Sequence, residues 1–269
     1  MSLEKLRVVK IRKYGWRRSL PDPRDLRFTP KPHIVQNLPQ KVDWRGDPSR
    51  PMIWDQGDLG SCTAHGSLRA YIFTLGVEGH PEFMPSRLFQ YYNTRYIEGT
   101  TDFDSGAEVR DALKALTTVG VCDESLWPYV DSALTLKPSD NCYEAAKLHV
   151  ATKYYSINNA NPQELMSALT QKLFIVFGCA VYAAFEEVGT SGEVPMPDLT
   201  CNTPVGGHCM TIVGYEPTIT SVTRKYKQWY IVDNSWGEEW GDKGSCIFPD
   251  RYILDINLSS DFWVISADT

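Results

Sequence analysis

The stretch Asp55-Gln56-Gly57-Asp58-Leu59-Gly60-Ser61-Cys62-Thr63-Ala64-His65-Gly66 decides how this chain folds. Its first half is a polar, glycine-rich turn. After Cys62 the pattern becomes helical, with Ala64, Leu68, Tyr71, Ile72 and Leu75 at helical spacing and Gly76 and Gly79 as a stop. Cys62 is therefore expected at or just before a helix N-terminus. There the unpaired N–H groups and the helix dipole favour an anion, so the thiol is expected to ionise readily. Gln56, six residues upstream, carries a side-chain amide that can donate to the oxyanion formed when a thiolate attacks a carbonyl. The Cys62 backbone N–H is the natural second donor. Without partners elsewhere, the same stretch reads as a loop and a buried helix whose cysteine only packs.

Two partners lie far downstream. His208 follows two glycines at the start of an apolar, strand-like run, Val205-Gly206-Gly207-His208-Cys209-Met210-Thr211-Ile212-Val213-Gly214-Tyr215. Asn234 ends another strand, in Asp233-Asn234-Ser235-Trp236-Gly237-Glu238-Glu239-Trp240-Gly241. An Asn there can accept the proton of one imidazole nitrogen, turning the other toward the thiol, and Trp236 can shield that bond from water. Alone, His208 reads as structural and Asn-Ser-Trp-Gly as a turn.

Taken together, residues 56–66, 207–214 and 234–241 resemble, in order, the three signature blocks of the papain-like cysteine peptidases. Cys62 and His208 are 146 residues apart (208 − 62), within the ~130–150 typical of that family. Asn234 lies 172 residues after Cys62 (234 − 62); an insertion such as Thr218–Lys227 accounts for the excess. The resemblance covers residues 38–269. It implies Cys62 as nucleophile, His208 as acid/base, Asn234 as the orienting residue and Gln56 as the oxyanion donor. It further implies that Ser105 and Gly106, in the loop Asp104-Ser105-Gly106, pair with extended substrate, with Gly60, Ser61 and Gly207 beside them and Trp236 bordering the leaving-group side. The implied fold is α+β, papain-like and two-lobed: a mainly helical lobe (about 38–150), a mainly β, barrel-like lobe (about 151–269), and the cleft between them.

The chain departs from the family at three points. Thr63 follows the nucleophile where an aromatic residue is usual, and Leu59 stands where a disulfide-bonded cysteine is usual. Both suit a bacterial or viral branch and a reducing compartment. Only some 37 residues precede the body, so the long inhibitory propeptide common in the family is not expected, and latency, if it exists, is expected from the short arm. That arm (residues 1–37) is basic through Lys10, Arg12, Lys13, Arg17 and Arg18, then proline-rich, with little capacity for regular structure after Leu20. It reads either as a strap across the surface or as a segment that lies in the cleft and inhibits it.

Composition narrows the alternatives. Net charge of −6 argues against nucleic acid as a partner. No stretch approaches the ~20 apolar residues of a membrane span, and no signal peptide is visible after Met1. Eight Trp and fourteen Tyr suggest an aromatic-lined groove. Seven scattered cysteines without CxxC pairs form neither a disulfide scaffold nor a zinc ribbon, although Cys122 with Cys142, or Cys201 with Cys209, are conceivable pairs. No cofactor or metal site is read. Cys201, His208 and Cys209 do not make one, because adjacent strand residues face opposite ways. His65, one turn after Cys62, reads as packing or surface rather than as a second base. An acidic floor for the specificity pocket, if present, is sought at Asp250 or Asp255, where a solvent-facing aspartate is the plainer reading. The expected activity is endopeptidase cleavage of protein or peptide substrates. A thiol acyl transferase or ligase, or a retired binding scaffold, are the competing readings.

Overall fold

The computed structural model describes residues 13–217 and 227–266. Arm residues such as Lys10 and Arg12, and most of the insertion at 218–227, lie outside these.

The chain opens with a two-residue strand, β1 (Trp16–Arg17), a single helical turn, α1 (Pro32–Val35), and β2 (Val42–Asp43). The helical half follows: α2 (Cys62–Val77), α3 (Arg87–Glu98), the short β3 (Ala107–Glu108), α4 (Val109–Thr118), and α5 (Asp140–Ala146) after a 3-10 turn. Local signals set the boundaries. The Ser86 hydroxyl accepts the Phe89 N–H at 3.1 Å to cap α3, and Gly99, in the left-handed region (φ 69°), ends it. The second half holds β4 (Lys153–Ser156), α6 (Pro162–Thr170), β5 (Ile175–Val181), α7 (Ala183–Glu186), β6 (Gly206–Pro217), β7 (Gln228–Asp233), β8 (Ser245–Pro249), α8 (Asp250–Leu254) and β9 (Ser259–Ser266). Pro32 gives α1 its turn at N1, so the arm is less featureless than its proline content suggests.

The large sheet runs β4-β9-β5-β6-β7-β8, with β2 pairing to β6 off this path; its pairings are antiparallel. Among the described residues it closes no barrel, so the lobe is a sheet rather than the barrel-like body expected. The two-residue period of a strand divides its faces. On β5, Ile175, Phe177, Cys179 and Val181 enter one core with α6, Phe248 and Tyr252. Val176 faces the other core, with α2, α4 and Trp263. The helix α2 is buried from Cys62 to Leu75 and packs on that second face. Gly66 makes the approach close: a Cβ there would lie 3.0 Å from Cys209 Sγ on β6. The molecule is thus two-lobed α+β, with α2 and β6 meeting along the seam. No described helix is long and apolar enough to cross a membrane.

Candidate active site

Cys62 is the first residue of α2 and is fully buried. It meets β6 through the backbone N–H of Cys209, the neighbour of His208. On the following loop, Asn234 Oδ1 lies 2.7 Å from His208 Nε2, which leaves Nδ1 as the other ring nitrogen. The Trp236 ring covers His208, with centroids 5.0 Å apart at 30°. The strand end before Asn234 is fixed by charge. Buried Asp233 takes the Arg50 guanidinium (2.8 and 2.9 Å), Arg69 Nη1 (3.2 Å) and the Ser245 hydroxyl (2.8 Å).

Gln56 is held just as firmly. The Ser235 hydroxyl donates to the Gln56 Oε1 at 2.6 Å, and the Gln56 backbone N–H donates to Ser235 O at 2.8 Å. This leaves Nε2 to donate to Leu59 O at 2.8 Å and to Lys13 O at 3.2 Å. Tyr129 braces the same loop, its hydroxyl 2.8 Å from Gln56 O and 2.6 Å from the Ser61 hydroxyl. Ser235 and Tyr129 were not singled out from the sequence; an Asn-Ser-Trp-Gly turn and a Trp-Pro-Tyr loop carry no local sign of what they reach.

Lys13 belongs to the arm, and the arm lies in the cleft. Its Gly15 carbonyl accepts the Ala107 N–H at 2.7 Å, and β1 pairs in parallel with β3. The fit around Gly15 leaves no room for a side chain: a Cβ would stand 1.8 Å from the Gly60 carbonyl oxygen. Gly106 (φ 67°) and Gly207 press equally closely on Gly15 and Trp16. Tyr14 stands edge-on to His208 (centroids 5.9 Å, 81°) and reaches Glu186 with its hydroxyl. Lys13 Nζ pairs with Asp104 at 2.5 Å, and Arg17 pairs with Glu98. Farther on, Ser156 and Leu26–Phe28 exchange backbone hydrogen bonds along β4, a sheet edge. The arm is both surface strap and cleft segment.

Of the substrate-binding candidates, Gly60, Gly106 and Gly207 touch this strap and Trp236 covers His208. Ser61 turns to Tyr129 and Ser105 into its own loop: the Ser105 hydroxyl bonds Thr100 and Gly106 O. Asp104, between them in interest, accepts the Gly60 N–H and the Tyr91 hydroxyl as well as Lys13.

One expectation changes. Cys62 does stand at a helix N-terminus, but burial pushes its thiol up to about 11, with backbone hydrogen bonds from Cys209, Gly15 and Thr63 offsetting only part. Asp250 and Asp255 accept backbone N–H groups of nearby turns; the carboxylate in the cleft is Asp261, which accepts Trp16 Nε1–H at 3.0 Å. All seven cysteines are free, so neither conceivable disulfide forms. His65 packs: it is buried between Trp54 and Tyr129, and burial, helped by Arg87 and Arg69, pushes its imidazole down to about 3.

Residues 38–251 match the family model of the papain family cysteine proteases. The chain belongs to this family. It is a thiol protease by that membership, and its relatives include viral and bacterial proteins. An uncharacterized peptidase C1-like protein of Acanthamoeba polyphaga mimivirus is 35% identical over 285 residues, covering 96% of this chain and 88% of the relative. The crystal structure of xylellain, a cysteine protease from Xylella fastidiosa, superposes with a TM-score of 0.87 at 35% identity, over 97% of this chain and 100% of that one. Cysteine proteinase 2 of Entamoeba histolytica is 31% identical over 77% of this chain, which spans 62% of that relative's length. Digestive procathepsin L 3 of Tenebrio molitor shares the fold, with a TM-score of 0.68 at 19% identity.

Proposed function

We propose that the chain is an endopeptidase working through a Cys62 thioester, and that its N-terminal strap holds it latent. The observation that carries this is the path of the strap. A peptide backbone lies where thiol and amide donor meet, giving its Lys13 carbonyl to Gln56 Nε2 and its Gly15 N–H to Cys62.

In a productive complex the Cys62 sulfur attacks the scissile carbonyl carbon. The oxyanion takes hydrogen bonds from Gln56 Nε2–H and the Cys62 backbone N–H. Asn234 Oδ1 accepts His208 Nε2–H and so turns Nδ1 toward the thiol. His208 receives the thiol proton at Nδ1 and passes it to the leaving amine. The acyl group remains on sulfur as a thioester. A water then gives a proton to His208, attacks the thioester and releases the acid and the thiol. The strap escapes this fate because Cys62 faces the N–H of Gly15, while the carbonyl held by Gln56 belongs to Lys13, two residues away. The sulfur and the donor never address one carbonyl.

The test is Gly15→Ala in the full chain, since a Cβ there cannot seat against Gly60. Iodoacetamide should then label Cys62 faster than exposed Cys201, well below the ~8.5 of an ordinary thiol, and peptide cleavage should appear and vanish with Cys62→Ala. If Cys62 labels no faster than Cys201 in both chains, and no peptide is cut, the reading is wrong.

A further inference from the structure

Ser61 stands at the N-cap of α2, where a serine hydroxyl ordinarily accepts an N–H of the first turn. Among the described residues, its side chain caps no such N–H. The hydroxyl goes instead to the Tyr129 hydroxyl at 2.6 Å and to His65 Nδ1 at 3.3 Å. A local cap is thus exchanged for a bond that reaches 68 residues along the chain.

The protons along this line have only one arrangement. A backbone carbonyl can only accept, so the Tyr129 hydroxyl donates to Gln56 O at 2.8 Å. With its one proton committed, Tyr129 can only accept from the Ser61 hydroxyl. Ser61 in turn accepts from His65, whose Nδ1 also faces the Ser61 carbonyl at 3.0 Å. Nδ1 therefore carries the proton. Nε2, buried and without a hydrogen-bond partner among the described residues, is the bare nitrogen. Burial keeps both ends of the line neutral: it pushes the His65 imidazole down to about 3 and the Tyr129 phenol up, away from ionisation. The chain runs from His65 Nδ1–H through Ser61 O–H and Tyr129 O–H to the Gln56 carbonyl.

The two residues that Tyr129 touches are the two that place the oxyanion donors. Gln56 carries the side-chain N–H, and Ser61 immediately precedes the Cys62 N–H. The loop between them turns at Gly57, in the left-handed region (φ 58°), and passes Gly60, glycines that leave the backbone free to shift. Tyr129 is itself clamped. The Arg87 guanidinium lies 4.5 Å over its ring and is held by both Glu124 oxygens at 2.8 and 2.5 Å, while the His65 ring meets it edge-on (centroids 5.3 Å, 88°). We propose that Tyr129 is a positioning residue for the oxyanion site: its hydroxyl, ordered by Ser61 and His65, holds the Gln56 amide and the Cys62 N–H at the separation one oxyanion needs. This rests on the peptidase reading above. Misplaced donors still bind peptide but meet the developing charge poorly, so the loss falls on kcat rather than KM.

The experiment uses the full Gly15→Ala chain, with and without Tyr129→Phe. Two rates are read: peptide cleavage, which passes through an oxyanion, and Cys62 alkylation by iodoacetamide, which does not. Tyr129→Phe should lower kcat about tenfold, with KM, the iodoacetamide rate and that rate's pH profile changed by less than about twofold. Ser61→Ala should do the same, and the double variant should lose no more than either alone, because the chain acts as a unit. Separately, nitrogen NMR of the strap-intact chain should find His65 protonated at Nδ1 throughout the neutral range. An unchanged kcat, an equal fall in cleavage and alkylation, or a proton on His65 Nε2 would each overturn this inference, while cleavage by the Gly15→Ala chain keeps the peptidase reading standing. A Gly15→Ala chain that cuts no peptide, its Cys62 no more reactive than Cys201, would overturn both.

Discussion

Gln56 Nε2 lies 3.2 Å from the carbonyl oxygen of Lys13, forty-three residues earlier in the chain. The amide proposed to hold a reaction's oxyanion is, in this state, holding the arm. Gln56→Ala should therefore act in opposite directions in two backgrounds. In the strap-intact chain it loosens the arm, and Cys62 labelling should rise a few-fold. In the Gly15→Ala chain it removes an oxyanion donor, and kcat should fall by about 10²–10³-fold with KM little changed.

The contact between His208 and Asn234 makes a second prediction. Asn234 Oδ1 lies 2.7 Å from His208 Nε2, and in the proposed mechanism this contact turns Nδ1 toward Cys62. In the Gly15→Ala background, Asn234→Ala should lower kcat by roughly 10²-fold, while the iodoacetamide-accessible sulfur remains countable by mass. Retention of full kcat would remove Asn234 from the mechanism.

Latency should weaken in acid. Burial pushes the Asp104 carboxyl up, but hydrogen bonds from Lys13, Tyr91 and Gly60 together outweigh it and hold the group below its ordinary 3.8. Lys13 is supplied by the strap, so Asp104 binds a proton more readily with the strap out than in. The Lys13–Asp104 contribution is thus complete well above the strap-free pKa and is lost as pH falls from there through the strap-bound one, which lies below 3.8. Peptide cleavage by the intact chain, divided by that of Gly15→Ala at each pH, should climb a few-fold as pH falls from about 5 to about 3. Lys13→Ala should give a higher ratio that no longer changes over that range.

Stability and activity should fail together at Asp233. Its buried carboxylate serves Arg50, Arg69 and Ser245, and burial lowers the Arg69 guanidinium to about 10. Asp233→Ala leaves the buried Arg69 with its Pro51 and Met52 carbonyls but without its counter-charge, and should cost about 3–5 kcal/mol in urea denaturation. Because Asn234 is the next residue, cleavage by the opened enzyme should drop as well.

The residues proposed to react were legible because each sits in a short local pattern. Cys62 announces itself by a glycine turn running into helical spacing, His208 by glycines before an apolar strand, Asn234 by the turn that ends one. Helices α3 and α6 carry equally local signals, the Ser86 cap and the Asn161 cap with Pro162, which depend only on adjacent backbone. Ser259–Ser266 passed unnoticed as a strand, although β9 lies between β4 and β5 in the sheet. Asp261 could not be read at all. Its position in the cleft comes from a left-handed backbone at a register slip, which exists only once β9 is paired. The Cys62 thiol went the other way from its local cue, because burial pushes it up further than the backbone hydrogen bonds around it pull it down. The sequence by itself therefore determined the family and the helical wall, and it supplied the residues proposed to react, all of which rest on neighbours in the chain. Only the tertiary structure decided which arm residue meets the sulfur. Gly15 fits between Gly60 and Gly106, and Trp16 over Gly178 and Gly207. Steric fit among residues so far apart along the chain leaves no period or motif for a sequence to show.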